Sequence, residues 1–235
     1  LEEALVLRYT GEAAQAAQAA EQSLREFEQA GRGHGEMASE AMNVMARARG
    51  EAGEFAAAVK AARNSVALLE QTGRDATPGF RNAWGLVARG LRDGGRPLEA
   101  LAAHGANGRF DAADPELPTP VRMDLAETLI QLQRFDAAEQ VLRAIDAKAR
   151  ADGDTHQTMF VALARVQAAV VAGRPQLAQR ARAEAERAMV PLRQGKRAMA
   201  RRMLINLAEH SVLMNRLDEA AALLAELDTL QPVGA

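Results

Sequence analysis

The sequence predicts an all-α protein, a right-handed α-α superhelical solenoid of about six helix-turn-helix repeats. A six-residue motif that opens with Gly, Gln or Asn and closes with Ala recurs six times along the 235 residues. Successive copies begin 42, 42, 38, 40 and 42 residues apart, at Gly11, Gly53, Gly95, Gln133, Gly173 and Asn215. Self-similarity at a period of about 20 to 50 residues is the signature of a solenoid, in which each repeat packs only on its neighbours.

The motif contains the residues that end one helix and begin the next. Gly and Asn, which open five of the six copies, tolerate the left-handed backbone that terminates many helices. Pro97 and Pro175 stand two residues after the opening residue, in the first turn of the following helix, where a missing N–H costs nothing. The closing Ala is the same in all six copies and is small enough to let two helices approach closely.

A second pattern precedes each motif. Seven residues before the motif, the position is small and apolar in every copy: Ala4, Ala46, Ala88, Ala126, Val166 and Ala208. One residue earlier, the position is apolar in four copies (Met45, Val87, Leu125 and Leu207) and charged in two (Glu3 and Arg165). We therefore expect small residues where the two helices of each pair meet, with Ala88 and Ala100 buried in the third pair.

Helical periodicity places six pairs of helices around the motifs. Their predicted ranges are 1–8 and 12–30, 36–52 and 54–71, 78–92 and from 96, 121–132 and 135–151, 155–172 and 175–189, and 196–214 and 217–230. Asp154 or Thr155 is the expected N-cap of the fifth pair. The glycines at 31, 33 and 35 are interpreted as a linker rather than a phosphate loop, because no strand precedes them and no Lys-Ser/Thr follows.

The repeat loses its pattern in the third pair. Residues 103–120 contain two glycines and three prolines, and His104 and Asn107 stand where apolar residues are expected. A glycine in a helix interior costs about 1 kcal/mol relative to alanine. We therefore expect the second helix of this pair to be short, and we predict a single solenoid over residues 1–235 with a candidate seam at 103–120.

The third copy reads Trp84-x-x-Val87-Ala88-x-x-Leu91 before its turn at Gly95. This resembles the tetratricopeptide repeat (TPR), which has Trp-x-x-Leu-Gly-x-x-Tyr and then a Gly-x-aromatic-x-x-Ala turn, and Pro232 falls where that family places its repeat-closing proline. The longer period resembles the TPR-like variants of bacterial signalling and regulatory proteins, with HEAT-like repeats as the structural alternative. The resemblance implies that the first helix of each pair lines a concave groove for a protein or peptide.

Composition restricts the class of protein further. Apolar residues make up 48% of the chain but aromatic residues only 3%, which favours thin, closely packed helices. The net charge of −2 gives no bulk attraction to nucleic acid or acidic membranes, and no apolar run approaches a membrane span. The absence of cysteine excludes disulfides and thiolate metal sites. Because the chain begins at Leu1, we expect a fragment excised from a larger, cytoplasmic protein.

No arrangement of residues typical of catalysis is present. The histidines fall in different repeats, and His-Glu-x-x-His, Walker and Gly-x-Ser-x-Gly motifs are absent. Asp111, Asp114 and Glu116 form an acidic loop, but they lack the spacing and the glycine of an EF-hand, which favours a solvated loop over a calcium site. We therefore predict a protein that is not an enzyme and has no cofactor or metal.

The groove is expected on the polar face of the first helices, opposite the apolar stripe. The candidate partner-binding residues on it are Asn43, Arg47, Asn82, Arg89, Asp124, Glu127, Gln167, Arg202, Asn206 and Glu209. This face is expected to be basic in the second and third repeats and acidic from the fourth onward. A groove patterned in this way orients an extended peptide or a helix through complementary charges. The Lys and Asn pattern of the TPR carboxylate clamp is not reproduced, since Asn43 and Asn82 match only fragments of it.

Three functions follow from these observations. The leading hypothesis is a protein- or peptide-binding scaffold, a regulatory module of a larger bacterial signalling protein. The alternative is a ligand- or peptide-sensing domain of a transcription regulator. The third, a helical repeat that contacts nucleic acid, is less favoured because no aromatic residue interleaves the basic run Arg193, Lys196, Arg197, Arg201 and Arg202. We expect no membrane contact, and the sequence does not determine the oligomeric state.

Overall fold

The computed structural model describes residues 1–33, 35–105, 114, 117–195 and 197–229, and the side chains of these residues except at 9, 192–199, 201–202 and 228–229. Twelve α-helices and no strand occupy this described part of the chain. The helices are α1 (Glu2–Thr10), α2 (Ala13–Gln29), α3 (Glu36–Glu51), α4 (Phe55–Gln71), α5 (Pro78–Asp93), α6 (Pro97–His104), α7 (Thr119–Gln131), α8 (Phe135–Asp152), α9 (Thr155–Val171), α10 (Pro175–Gly195), α11 (Arg197–Leu213) and α12 (Leu217–Thr229). The predicted all-α solenoid of six helix-turn-helix repeats is confirmed.

The chain divides into two compact units, Leu1–Thr128 and Leu129–Ala235. The first unit contains α1 to α6 and most of α7, and the second contains α8 to α12. Most of the candidate seam, together with His34, Asn107, Lys196 and Pro232, lies outside the described residues. The single solenoid over 1–235 and its seam therefore stay predictions.

All six turns have the predicted left-handed backbone. The opening residues of the motifs have φ between 57° and 90°, including the non-glycine residues Gln133 at 58° and Asn215 at 57°. The next residue donates its N–H to a carbonyl five positions earlier, as in Glu54 N to Arg49 O at 2.8 Å and Arg216 N to Ser211 O at 2.8 Å. This is the main-chain bond of a Schellman cap, and it ends the first helix of each pair.

The ends of the helices follow local chemistry. The Asp154 side chain caps α9 by accepting from Gln157 N at 2.9 Å, which confirms it as the N-cap, and Thr77 caps α5 by accepting from Phe80 N. Helix α6 has eight residues and ends at His104, as expected for the irregular pair. The predicted end of α10 near Met189 is wrong, because the helix continues through Pro191 to Gly195. Met189 is fully buried against α9 and α11, and this packing offsets the hydrogen bond lost at the proline.

Small residues fill the contacts between paired helices, as predicted. The closing alanines of the motifs are at most 5% exposed: Ala16, Ala58, Ala100, Ala138, Ala178 and Ala220. The residues seven positions before the motifs are at most 4% exposed: Ala4, Ala46, Ala88, Ala126, Val166 and Ala208. Between neighbouring pairs the approach is closer still, since a Cβ at Gly90 of α5 would lie only 2.8 Å from Val59 Cγ2 of α4.

Larger side chains complete the core of each unit. In the first unit Phe80, Val87 and Leu91 are at most 3% exposed, and Trp84 packs against them with its ring edge-on to Phe80. In the second unit the core is rich in methionine, with Met159, Met189 and Met203 fully buried between α9, α10 and α11. In the described segments every helix is too short or too polar to span a bilayer.

Enlarging the small residues of the third pair should destabilise the fold. Ala88 and Ala100 are both 0% exposed, so Ala88→Leu or Ala100→Leu would overpack the contact and cost about 1–3 kcal/mol. The exposed Ala67 of α4 supplies the matched control, since Ala67→Leu adds the same atoms to a solvent-facing site. Urea unfolding would measure the difference, and equal midpoints for all three variants would contradict this contact.

Substituting glycine at either of the two turns that lack it, at Gln133 or Asn215, should stabilise the protein. A left-handed non-glycine residue costs about 1 kcal/mol, so Gln133→Gly should raise the free energy of unfolding by up to that amount. Gln140→Gly is the control, because Gln140 is exposed inside α8 and glycine there should cost about 1 kcal/mol. Opposite signs are expected by thermal unfolding, and a loss of stability in both variants would rule out strain at Gln133.

Candidate functional site

A continuous row of polar side chains crosses α3, α5 and α7 in the first unit. We call it the polar ladder, and its members are Asn43, Arg47, Asn82, Arg89, Arg92, Asp124 and Glu127. Six of these seven were predicted from the sequence, and Arg92 was missed. Each member projects from the first helix of a pair, so contacts within the ladder connect neighbouring repeats.

Ion pairs fill the ladder between α5 and α7. Asp124 Oδ1 accepts from Arg89 Nε at 2.8 Å and from Arg92 Nη1 at 3.1 Å. Arg92 also pairs with Glu127 at 2.6 Å and with Asp93 at 2.8 Å. The expected division into a basic and an acidic region is therefore corrected: the arginines of α5 neutralise the carboxylates of α7 across the repeat boundary.

Burial and pairing fix the charges of this network. The Asp124 side chain is 5% exposed, and burial works to raise its pKa, but Arg89 and Arg92 outweigh burial and hold that pKa below its usual value. Burial likewise disfavours the charge of Arg92, whereas Glu127, Asp124 and Asp93 raise its pKa. Arg92 and Asp124 are therefore held in their charged forms, whereas burial, with Asp124 and Asp93, raises the pKa of Glu127 in spite of Arg92 and Arg89. Asp124 is buried rather than free on an open surface, which corrects its expected position.

Arg47 differs from the other arginines of the ladder because its guanidinium forms no ion pair with a described carboxylate. Its one hydrogen bond donates from Nη2 to the neutral Asn82 Oδ1 at 3.0 Å, and the residue is half-buried. Desolvation, and then the charges of Arg89 and Arg8, lower the pKa of Arg47. One turn earlier, Asn43 is 2% exposed and its Oδ1 has no donor in the described part of the chain. Arg47 is thus a partly buried cation without an ion pair among the described residues, although Glu40 and Asp124 act on it from a longer distance.

His104 of α6 is connected to the network through Thr128 of α7. Its Nε2 lies 3.2 Å from Thr128 Oγ1, and the Thr128 hydroxyl donates to Asp124 O at 2.7 Å. Because a hydroxyl has one proton to donate, Thr128 must accept from His104, which places the imidazole proton on Nε2. His104 is 1% exposed, and burial lowers its pKa to about 4. His104 stands where the sequence led us to expect an apolar residue, and the structure makes its imidazole a buried partner of α7.

The predicted residues of the second unit are not joined into one cluster. Gln167 and Asn206 are half-buried and Glu209 is exposed, and no hydrogen bond or ion pair connects these three described side chains to one another. The side chain of Arg202 lies outside the described residues, as do those of Arg193, Lys196, Arg197 and Arg201 of the basic run.

Arginines form the polar contacts of the second unit instead. Arg165, which broke the apolar pattern in the sequence, pairs from α9 with Glu139 at 3.2 Å and Asp146 at 3.0 Å on α8. The Arg182 side chain is 3% exposed and connects α10 to Leu207 O at 2.7 Å and Glu219 at 2.7 Å. Both guanidiniums are saturated by partners within the fold, so they hold the helices together rather than offer a binding site.

Metal-binding chemistry has no support in the part of the chain that the structure describes. No group of three His, Asp or Glu side chains there is placed to hold an ion. Of the acidic loop considered for calcium, Asp111 and Glu116 lie outside the described residues, and Asp114 pairs with Arg81 at 3.3 Å.

Solved structures show what this arrangement is similar to, whereas no protein-family model and no curated protein sequence matches the chain. BtubC (BKLC) from P. vanneervenii has a TM-score of 0.55 at 20% identity, covering 97% of this chain and 94% of that chain. A Podosopora anserina protein assigned as a kinesin light chain, with nearly identical TPR-like repeats, has a TM-score of 0.52 at 16% identity, covering 82% of this chain and 94% of that chain. A second crystal structure of that protein has a TM-score of 0.51 at 17% identity, covering 82% of this chain and 93% of that chain. The predicted resemblance is confirmed at the level of the fold, which is that of TPR-like helical repeats.

The burial of His104 should make the stability of the first unit depend on pH. Its folded pKa of about 4 lies below the ordinary 6.5, so the unfolded chain binds a proton first as the pH falls. This contribution to stability is complete above pH 6.5 and is lost progressively towards pH 4, with about 2 kcal/mol gone by pH 5.

His104→Gln isolates this effect. The variant retains the hydrogen-bond donor towards Thr128 and all other titrating groups, including His210, whose pKa burial also lowers. Between pH 7.5 and pH 5, urea unfolding should show wild type losing about 2 kcal/mol more than His104→Gln. Parallel curves for the two proteins would mean that the imidazole is solvated and not buried.

Proposed function

We propose that this chain is a protein-interaction scaffold whose polar ladder binds an acidic segment of a partner protein. The observation that carries the proposal is Arg47, a half-buried guanidinium bonded only to the neutral Asn82 among the described residues. Burial and the charges of Arg89 and Arg8 lower its pKa and outweigh Glu40 and Asp124, which act on it from a longer distance. An unneutralised cation that is partly removed from water gains most from a charged acceptor, and hydrogen bonds to charged groups contribute about 1.5–3 kcal/mol.

The surroundings of Arg47 favour a carboxylate over other acceptors. The Asn82 amide accepts from the guanidinium through Oδ1, so its NH2 group supplies a further donor on α5 beside Arg47. The remaining cations of the ladder are paired with Asp124, Glu127 and Asp93, which directs an incoming acid to Arg47. Asp124 and Glu127 form ion pairs with Arg89 and Arg92 of α5, so these two arginines are not available to a partner.

The wider setting follows from the fold. TPR-like repeats support a binding role, and one similar structure is described as a kinesin light chain with TPR-like repeats. With this fold we propose a non-catalytic regulatory module of a bacterial signalling protein, acting in the cytoplasm. In the second unit, Gln167, Arg202, Asn206 and Glu209 are proposed as a further part of the partner-binding surface.

Arg47→Gln should weaken partner binding without damaging the fold. Peptides selected on the chain from a randomised library should share an Asp, a Glu or a free carboxyl terminus. Their affinity should fall about tenfold in Arg47→Gln, the loss expected for one charge-assisted hydrogen bond. The substitution relieves the burial of a charge and its repulsion by Arg89 and Arg8, and these effects outweigh the lost attraction to Glu40 and Asp124. Its thermal midpoint should therefore equal or exceed that of wild type.

The control is Arg74→Gln, which removes an equal charge from a turn outside the ladder, where Arg74 pairs with Glu36 at 3.6 Å. Neutralising the acid of the selected peptide should cost as much as Arg47→Gln, and the two changes together should cost no more than either alone. Peptides that lack an acid, or additive losses, would contradict the proposal. Binding to duplex DNA with a steep salt dependence would support the nucleic-acid alternative instead.

A further inference from the structure

A cleft lies on the other side of α5 from the polar ladder. It has a volume of about 290 Å³ between α4, α5 and α6, and is lined by Arg63, Trp84, Val87, Leu91, Glu99, Ala102 and Ala103. The lining is apolar at Val87, Leu91 and Ala103, all at most 3% exposed. This volume is close to the lower end of the range for small-molecule pockets, about 300 Å³, and suits a ligand of modest size.

The charge at the rim of the cleft is positive. Arg63 is exposed on α4 and makes no ion pair with any described carboxylate. Glu99, across the rim on α6, is held by Arg96 through two hydrogen bonds of 2.6 Å each. Two arginines therefore face one carboxylate whose oxygens are already occupied, which leaves Arg63 available to an anion.

The indole of Trp84 adds a donor without an acceptor. Its Nε1 is buried and has no hydrogen-bond partner in the described part of the chain. An indole N–H can only donate, and a buried donor without a partner costs about 1–3 kcal/mol. Arg63 and the indole N–H are thus donors of the lining that lack an acceptor in the described part of the chain, whereas its one carboxylate, Glu99, is held by Arg96.

We propose that this cleft binds a small monocarboxylate with an apolar body, which is a second site distinct from the polar ladder. The carboxylate pairs with Arg63 at the rim, and the apolar body packs on Ala102 and the Trp84 ring, above the buried Val87 and Leu91. A cationic ligand is disfavoured by Arg63 and by the engagement of Glu99 with Arg96.

Benzoate and its neutral analogue benzamide test the site directly. Trp84 is the only tryptophan of the chain, so its fluorescence and its indole N–H resonance both report on this cleft. Benzoate should shift both signals in a saturable way, and benzamide should bind about tenfold more weakly because it lacks the charge. Equal binding of the two compounds, or no response of the Trp84 signals to benzoate, would overturn the proposal.

Two pairs of variants localise the binding. Arg63→Gln should weaken benzoate about tenfold, whereas Lys60→Gln, which removes a charge from the exposed surface of the same helix, should change it less than about twofold. Ala102→Leu fills the cleft and should abolish binding, whereas Ala67→Leu on exposed α4 should leave it intact. Binding that survives Arg63→Gln or Ala102→Leu in a folded protein would overturn the assignment.

Discussion

The left-handed residue of each turn is the constraint on which the rest of this structure depends. It closes a main-chain bond of 2.8 to 2.9 Å across the end of the first helix, and in every copy the second helix begins two residues later. The closing Ala is therefore always the fourth residue of the second helix, where its methyl group is buried. A fixed turn and a fixed small residue together set how closely each pair packs, and repetition carries this geometry from pair to pair within each unit.

Alanine brings helices close together but buries little apolar surface. Buried arginines add contacts between helices that alanine cannot make. In each unit one buried arginine donates to a main-chain carbonyl that also accepts from a hydroxyl four residues later. Arg92 and Thr128 share Asp124 O, and Arg182 and Ser211 share Leu207 O. The long aliphatic stem packs between the helices, and the guanidinium satisfies a carbonyl and nearby carboxylates. Removing such an arginine would take a donor from the shared carbonyl and leave a gap where its stem packs, although Asp124 and Glu219 would keep Arg89 and Arg216 as partners.

The sequence could predict what is local and repeated. The left-handed turns, the buried alanines and the extents of most helices all follow from residue types at fixed spacing, and Asp154 was identifiable as a cap for the same reason. The partners of the polar ladder were not predictable, because Arg92 and Asp124 are 32 residues apart and no pattern in one sequence pairs them. His104 could be identified as irregular, but its partner Thr128 lies on another helix, and only the packing of α6 against α7 brings the two together. The sequence could therefore indicate which face is polar, but could not show that most of its charges are already neutralised.

Helix α5 connects the two proposed sites. Asn82 and Arg89, seven residues apart, project into the polar ladder, while Trp84, Val87 and Leu91 line the cleft. A ligand that moved α5 from one side would change the positions of groups on the other side. Linkage requires the coupling to be reciprocal, so a carboxylate that alters partner affinity by some factor has its own affinity altered by the same factor. The scaffold and sensor hypotheses drawn from the sequence would then share helix α5, and the size of the coupling would determine which function dominates.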